Sequence, residues 1–307
     1  MKKVRIGTRG STLALWQSGF IMRELHAHIP GIACELVVIA TQGDRDQSSS
    51  LTRIGGVGVF SKDIEIALLD HAIDIAVHSL KDLPSLMTEG LELAATPARG
   101  PVEDALVSCD GRPPARLCPG AVVGTGSMRR RCQLLHHRPD LKMKDLRGNI
   151  DTRLRKLEQG RYDAIIMAHA ALLRLGLDDV PCHVFDCSDM IPAVGQGTIA
   201  VQMRAGDGRK AVIAGALNDD RTWRAITAER AFLRALDSRC QFPVGATARV
   251  TNGMVNIVGV VGSEDGKTLL RESLTGSCDS PAEVGEALAQ RFIGLGALDI
   301  LREYRNE

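Results

Sequence analysis

The sequence predicts an α/β protein that ends in a smaller α+β part, and three observations predict it. Short apolar segments of strand character alternate with helical segments as far as about residue 217, the pattern of an α/β fold with a largely parallel sheet. From Ala246 onward apolar and polar residues alternate in period two, interrupted by the turn pairs Asn252-Gly253 and Asp265-Gly266, as in an antiparallel meander. A chain of 307 residues is also too long for one typical core and suits two or three domains.

The elements follow in order. "VRIGT" (4–8) reads as a strand, and Ser11 as the cap of a helix whose first turns hold Leu13, Leu15 and Trp16. "ELVVIAT" (35–41) is a second strand, followed by a loop rich in Gly, Ser and Asp over 42–58. "SKDIEIALLD" (61–70) reads as a helix, and "IDIAVHS" (73–79) and "LELAAT" (91–96) as strands. "PARGP" (97–101) marks the crossing into a second unit. There "AVVGTGS", "LKMKDLRG", "YDAIIMAHA" and the helices between them renew the alternation, with no convincing repeat in the residues themselves. The helix "TWRAITAERAFLRALD" (222–237) leads into the meander, and a last helix spans about 280–303.

The start, "MKKVRIGTRG", lacks the apolar stretch of a signal peptide, so a cytoplasmic protein is expected. No window approaches the roughly 20 apolar residues of a membrane-spanning helix. The eight cysteines include no C-x-x-C pair and read as free thiols. Cys34 and Cys109 fit the small buried hydrophobe that most cysteines are. Cys182, His183 and Cys187 lack a second pair at ligand spacing, so no metal is expected.

Charge is concentrated. Residues 124–156 hold ten Lys/Arg against three Asp and carry +7, leaving −6 on the rest of a chain with net charge +1. Such a local field suggests a polyanionic ligand, although a solvated helix face would look similar. "AVVGTGSMRRR" reads as strand, glycine turn and helix start, where unpaired N–H groups favour anions. Thr125 and Ser127 add hydroxyls, Arg129 and Arg130 add forked guanidiniums, and Arg147 and Arg153 sit near the start of the next helix. Carboxylates and phosphates fit equally well. The segment has no Phe, Trp or Tyr, which disfavours nucleic acid, whose single-strand readers offer stacking platforms.

Two further stretches look chemical. In "AVHSLKDLPS" (76–85), Ser79, Lys81 and Asp82 leave a strand together, and a carboxylate between a lysine and apolar residues suits acid–base work. A loop aspartate capping its own turn would look the same. In "DSRCQFPVGA" (237–246), Cys240 stands in a polar loop beside Arg239, a setting that favours the nucleophilic thiolate.

Eight segments in order give the chain a resemblance to the porphobilinogen deaminase (hydroxymethylbilane synthase) family over nearly its whole length. They are "RIGTRGSTLALWQ" (5–17), "GGVGVFSKDIEIALL" (55–69), "DIAVHSLKDLP" (74–84), "GTGSMRRRCQLLHHRPDL" (124–141), "LRGNIDTRLRKL" (146–157), "PAVGQG" (192–197), "TAERAFLRAL" (227–236) and "CQFPVGA" (240–246). The resemblance implies two α/β domains like the halves of type II periplasmic binding proteins around a cleft, plus a smaller C-terminal α+β domain with an antiparallel sheet. Domain 1 would take 1–97 with 198–217, domain 2 would take 98–197, and domain 3 would take 218–307.

The resemblance also implies an activity. The family condenses four porphobilinogen molecules head to tail, releases ammonia, and hydrolyses off the linear tetrapyrrole hydroxymethylbilane. It works on a dipyrromethane cofactor bound by thioether to the cysteine matching Cys240, and uses no metal or nucleotide. Asp82 matches the catalytic aspartate. Ser79, Lys81, Thr125, Ser127, Arg129, Arg130, Arg147 and Arg153 match cofactor-holding residues, while Arg9, Ser11 and Arg174 would meet substrate. The partner is the small molecule, with no nucleic acid or membrane, and a monomer is expected. The chain departs from the family at Val57, where a lysine is common, and at Ser238-Arg239, where two glycines usually precede the cysteine. The competing reading is a non-enzymatic anion-binding or sensor protein on the same scaffold, needing neither Asp82 nor a modified Cys240.

Overall fold

A computed structural model describes residues 3–41, 61–237, 242–302 and 304. Arg53, Val57 and the rest of the Gly-rich loop, together with Ser238, Arg239 and Cys240, lie outside the described residues. The chain opens with β1 (Val4–Thr8), α1 (Thr12–His28), β2 (Cys34–Val38), α2 (Lys62–Leu69), β3 (Ile75–Ser79) and β4 (Leu91–Ala95). It continues with β5 (Asp104–Ser108), β6 (Val122–Gly124), α3 (Met128–His137), β7 (Lys142–Lys144), α4 (Ile150–Glu158), β8 (Ala164–Ala168), α5 (His169–Arg174) and β9 (Cys182–Val184). Then come β10 (Ile199–Arg204), α6 (Lys210–Leu217), α7 (Asp220–Ala235), β11 (Val244–Thr251), β12 (Met254–Gly262), β13 (Leu269–Ser277), α8 (Pro281–Gly294) and α9 (Ala297–Arg302).

These strands make three sheets, ordered β2-β1-β3-β10-β4, β7-β6-β8-β5-β9 and β11-β12-β13. In the first, β1 runs parallel to β2 and β3, while β10 runs antiparallel to β3 and β4. In the second, β6 runs parallel to β7 and β8, while β5 runs antiparallel to β8 and β9. The two sheets therefore share one plan, and both are mixed rather than largely parallel. The sequence reading contained neither β5, β9 nor β10. The reason for the first sheet's mixed order is where the chain leaves and returns. Gly100 N–H donates to the Gly197 carbonyl at 3.1 Å, so the outgoing and incoming segments run side by side and β10 must enter opposed to β4.

The chain divides into two units, residues 1–100 with 197–223 and residues 101–196 with 224–307. In the first, α1 buries Ala14, Gln17, Ser18, Ile21 and Leu25, the three- and four-residue spacing of an amphipathic face. Ile21 and Leu25 pack with Val4, Ile6 and Val201 of the sheet and Ile213 of α6. The opposite face is closed by Ile64 and Leu68 of α2 against Ile73 and Ala76. In the second unit, Leu134 of α3 covers one face with Leu106 and Ile166. Leu154 of α4 and Leu172 of α5 cover the other with Ile165 and Met167.

The third sheet lies in the second unit with a core of its own. Thr251 faces Met254 across β11 and β12, leaving Asn252 and Gly253 as the whole turn, both at positive φ (50° and 73°). Those are the backbone angles of the tight hairpin turn that suits strand twist. Phe232 of α7 and Phe292 of α8 meet edge to face at 5.2 Å. The two helices approach closely at Gly285, where a Cβ would lie 2.0 Å from the Ala228 carbonyl oxygen. Part of the basic segment has a plain architectural use. Lys142 and Lys144 are exposed on β7, an edge strand, where lysines discourage pairing with another chain.

Candidate active site

In the first unit, β1 and β3 are parallel neighbours in register (Ile6 with Ile75, Gly7 with Ala76), so their C-terminal ends come out together, on the side where α/β sheets bind ligands. β1 delivers Arg9 and Ser11. Ser11 is the expected cap of α1, its Oγ accepting from Ala14 N–H at 3.4 Å, and both residues are half-buried. β3 delivers Ser79 and a single 3₁₀ turn over Leu80–Asp82. That turn is held from beneath by buried Leu80 and Leu83 and by Leu80 N–H on the Thr198 carbonyl at 3.0 Å. Asp82 stands exposed on it and Lys81 is half-buried.

Gln17 of α1, a residue absent from the sequence reading, ties this end of β3 to the helix. Its Nε2 donates to Ser79 Oγ at 2.8 Å, and the side chain is buried. Its signal in the sequence was a polar side chain on the apolar stripe of α1. Beneath Ser79, His78 is buried against Gln202. Burial, assisted by the charge of Arg9, brings its pKa down to about 4 despite the Gln202 contact, so the imidazole is neutral at physiological pH.

In the second unit, β6 and β7 are likewise parallel neighbours, and their C-terminal ends carry the two basic loops. Thr125 N–H donates to the Lys144 carbonyl at 3.1 Å, joining the loops. Ser127 caps α3, with its Oγ accepting from Arg130 N–H at 3.5 Å, and Thr125 Oγ1 accepts from Ser127 N–H at 3.2 Å. Asn149 caps α4 by accepting from Thr152 N–H at 3.0 Å. Arg147 and Arg153 are half-buried beside it. Arg153 Nε donates to the Gly148 carbonyl at 2.8 Å, and the Arg147 carbonyl accepts from Lys156 Nζ at 2.9 Å. Arg174 is half-buried in the last turn of α5, where burial lowers its pKa to about 10.

Arg129 and Arg130 are placed differently from their neighbours. They are only 3% and 6% exposed, and both converge on Asp104, which is 0% exposed. Arg129 Nη1 donates to Asp104 Oδ2 at 2.7 Å. Arg130 Nε and Nη2 donate to Oδ1 at 3.0 and 2.7 Å. Burial pushes the Asp104 carboxyl up, and the two guanidiniums more than offset this, holding it below the usual carboxylate range. Neither arginine lies on an open face. The sequence reading did not include Asp104.

Cys240 lies outside the described residues, but the strand that follows it does not. A Cβ on Gly245 of β11 would come within 2.7 Å of Arg129 Cδ and of the Pro192 carbonyl oxygen, so β11 begins against the stem of Arg129. The seven described cysteines are free. Burial pushes the Cys132 and Cys187 thiols up to about 12 and about 11, which leaves them protonated. Cys34 is half-buried, whereas Cys109, expected inside, is exposed in the turn after β5, where the chain reverses at the surface. Among the described residues no group of three or more His, Cys, Asp or Glu could hold a metal ion, and no helix is long and apolar enough to cross a membrane. A cavity of about 810 Å³ in the second unit is lined by Glu103, His169, Asp186, Arg249 and others, none of them a site residue expected from sequence.

A family model for the porphobilinogen deaminase "dipyromethane cofactor binding domain" matches residues 4–211, and one for the porphobilinogen deaminase C-terminal domain matches residues 223–294. The porphobilinogen deaminase of Moorella thermoacetica is 43% identical over 310 residues, covering 99% of this chain and 97% of that protein. That of Syntrophobacter fumaroxidans is 43% identical over 300 residues, covering 98% and 97%. Among solved structures, a periplasmic substrate-binding protein of an ABC transporter from Coxiella burnetii overlaps 69% of this chain and 91% of its own, with a TM-score of 0.44 and 14% identity. Matched by both family models and by full-length relatives, the chain belongs to the porphobilinogen deaminase family.

Proposed function

We propose that the chain is a transferase that joins four porphobilinogen molecules head to tail with loss of ammonia and releases hydroxymethylbilane by hydrolysis. The observation that carries this reading is the shared placement of the family-matched residues. Ser79, Lys81 and Asp82 in one unit, and Thr125, Ser127, Arg147 and Arg153 in the other, all follow the C-terminal ends of parallel strands. The donor set suits a ligand bearing several carboxylates, because hydroxyls, an ammonium and forked guanidiniums each donate to such groups.

A dipyrromethane cofactor, when bound, supplies the pyrrole carbon to which the first substrate is joined. The chain's own residues do the rest. Cys240 carries the thioether: its thiolate takes the methylene of a porphobilinogen unit as ammonia leaves, forming the C–S bond as the C–N bond breaks. The approach of β11 to Arg129 supports this role, since Gly245, close after Cys240 in sequence, lies against the arginine cluster. Arg129, Arg130, Arg147, Arg153, Ser79, Lys81, Thr125 and Ser127 orient the acetate and propionate groups. Arg9, Ser11 and Arg174 receive substrate. Asp82 stabilises the positive charge that deamination leaves on the substrate pyrrole and holds the pyrrole N–H protons.

The intact mass of the denatured protein tests the reading. It should exceed the sequence mass by two porphobilinogen units less two ammonias, with the increment mapping to Cys240, and Cys240→Ser should abolish both increment and turnover. Full activity from a protein with an unmodified Cys240 thiol would overturn it.

A further inference from the structure

We propose that Asp104 is a positioning residue for the anion site, fixing the planes of Arg129 and Arg130 and halving the charge the pair presents, so that carboxylate ligands are held firmly enough to align yet loosely enough to release. The inference rests on the anion-binding role proposed above for the two arginines. Asp104 is the first residue of β5 and faces Ala168 across the sheet, so its carboxylate is set by strand geometry rather than by a flexible loop.

Around it the donors are largely consumed. Three of the five N–H groups of Arg130 are committed, two to Asp104 and one to the Ile166 carbonyl at 2.9 Å. Arg129 Nη1 serves both Asp104 and the Ile191 carbonyl at 2.7 Å, while its Nε is buried without a partner among the described residues. Gln196 Nε2 adds a further donor to Asp104 Oδ1 at 2.8 Å. A carboxylate with this many donors stays ionised, so two cations and one anion present a single net charge. A ligand meets only the remaining edges of guanidiniums that cannot turn.

The charge has a kinetic meaning. Lengthening a polycarboxylate requires groups already bound to let go and shift, and each added fixed cation makes that release slower. Asp104→Asn keeps the size of the side chain and one acceptor, but removes the charge. Compared in a Cys240→Ser background, whose anion site carries no covalent group, the variant should bind citrate, a tricarboxylate probe, about tenfold more tightly by calorimetry, the effect of one uncompensated charge at short range. With Cys240 intact, its kcat should fall while KM does not rise.

A purely structural role for Asp104 would instead lower folded yield and thermal stability, with citrate affinity and kcat per folded molecule unchanged, and that result overturns the proposal. Should Asp104→Asn fail to fold, Asp104→Glu decides, because it keeps the charge and moves the carboxylate by one methylene. The proposal requires it to fold with citrate affinity close to that of the wild type and a kcat lowered by displaced guanidinium planes; an unchanged kcat overturns it, and failure of both variants to fold makes Asp104 structural. A wild-type protein that neither gains the covalent increment nor consumes porphobilinogen would instead defeat the proposed function, and is read independently of the citrate measurements.

Discussion

Asp82 is exposed at the tip of a turn whose flanks, Leu80 and Leu83, are 1% and 2% exposed, so its carboxylate is mobile only at the side chain. In the proposed role, Asp82→Asn should fold, keep the mass increment on Cys240, and lose turnover by on the order of 10²–10³; near-normal turnover would reduce Asp82 to a turn residue. His78 predicts a pH effect of a different kind. Its folded pKa of about 4 lies below the ordinary imidazole value of 6.5, so the unfolded chain takes up a proton that the folded chain refuses. Stability is therefore full above about pH 6.5, falls as pH drops toward 4, and loses at most roughly 3 kcal/mol from this group. Denaturant titrations of wild type and His78→Gln across that range should converge as pH falls, and parallel curves would show that His78 is not responsible. At this scale the sequence was informative where chemistry is local. Ser11 was legible as a cap because a cap and its N–H are three residues apart, whereas Ser127, read as an anion donor, caps α3. Gln17 with Ser79 and Asp104 with Arg129 were not legible, because 62 and 25 residues separate the partners. Charge on a page also looks the same whether a guanidinium stands alone or, as with Arg129 and Arg130, shares a buried carboxylate.

Among the elements, α7 and α8 meet where Gly285 leaves no space between helix backbones. Gly285→Ala must push the helices apart or bend one of them. Overpacking of this kind costs about 1–3 kcal/mol, offset little by the better helix propensity of alanine. The measurement is the denaturant midpoint, which should fall without a change in slope, while the second unit's arginine loops, remote from the crossing in sequence, keep their ligand affinity. An unchanged midpoint would mean the crossing relaxes freely. Helices and most parallel strands were legible because their periods differ and glycine or a capping residue bounds them. β5, β9 and β10 escaped for separate reasons. β9 has only three residues, Cys182–Val184, and β5 begins on the buried acid Asp104. β10, Ile199–Arg204, is buried through Met203, glutamine included, so neither alternation nor a polar face announces it.

For the whole molecule, the charge map misleads most. The +7 of residues 124–156 is reduced by pairing that a linear count cannot see: Arg129 and Arg130 with Asp104, and Arg131 with Glu264 at 3.0 Å. The α/β character and the antiparallel end were readable because both rest on periodicity, whereas the mixed order of the sheets rests on where the chain crosses and returns. That crossing also sets a timetable for synthesis. The second sheet holds strands from Asp104 to Val184 and is complete as soon as β9 has emerged. The first sheet, begun at Val4, has β3 and β4 without the strand that belongs between them until β10 is made. At roughly 5–20 residues per second, the ribosome takes on the order of ten seconds to travel from β4 to β10. For that interval the N-terminal half of the nascent chain carries two open strand edges while the middle of the chain has already closed its sheet. The sheet begun first is thus closed after the sheet begun second, and its strand edges stay open for longer.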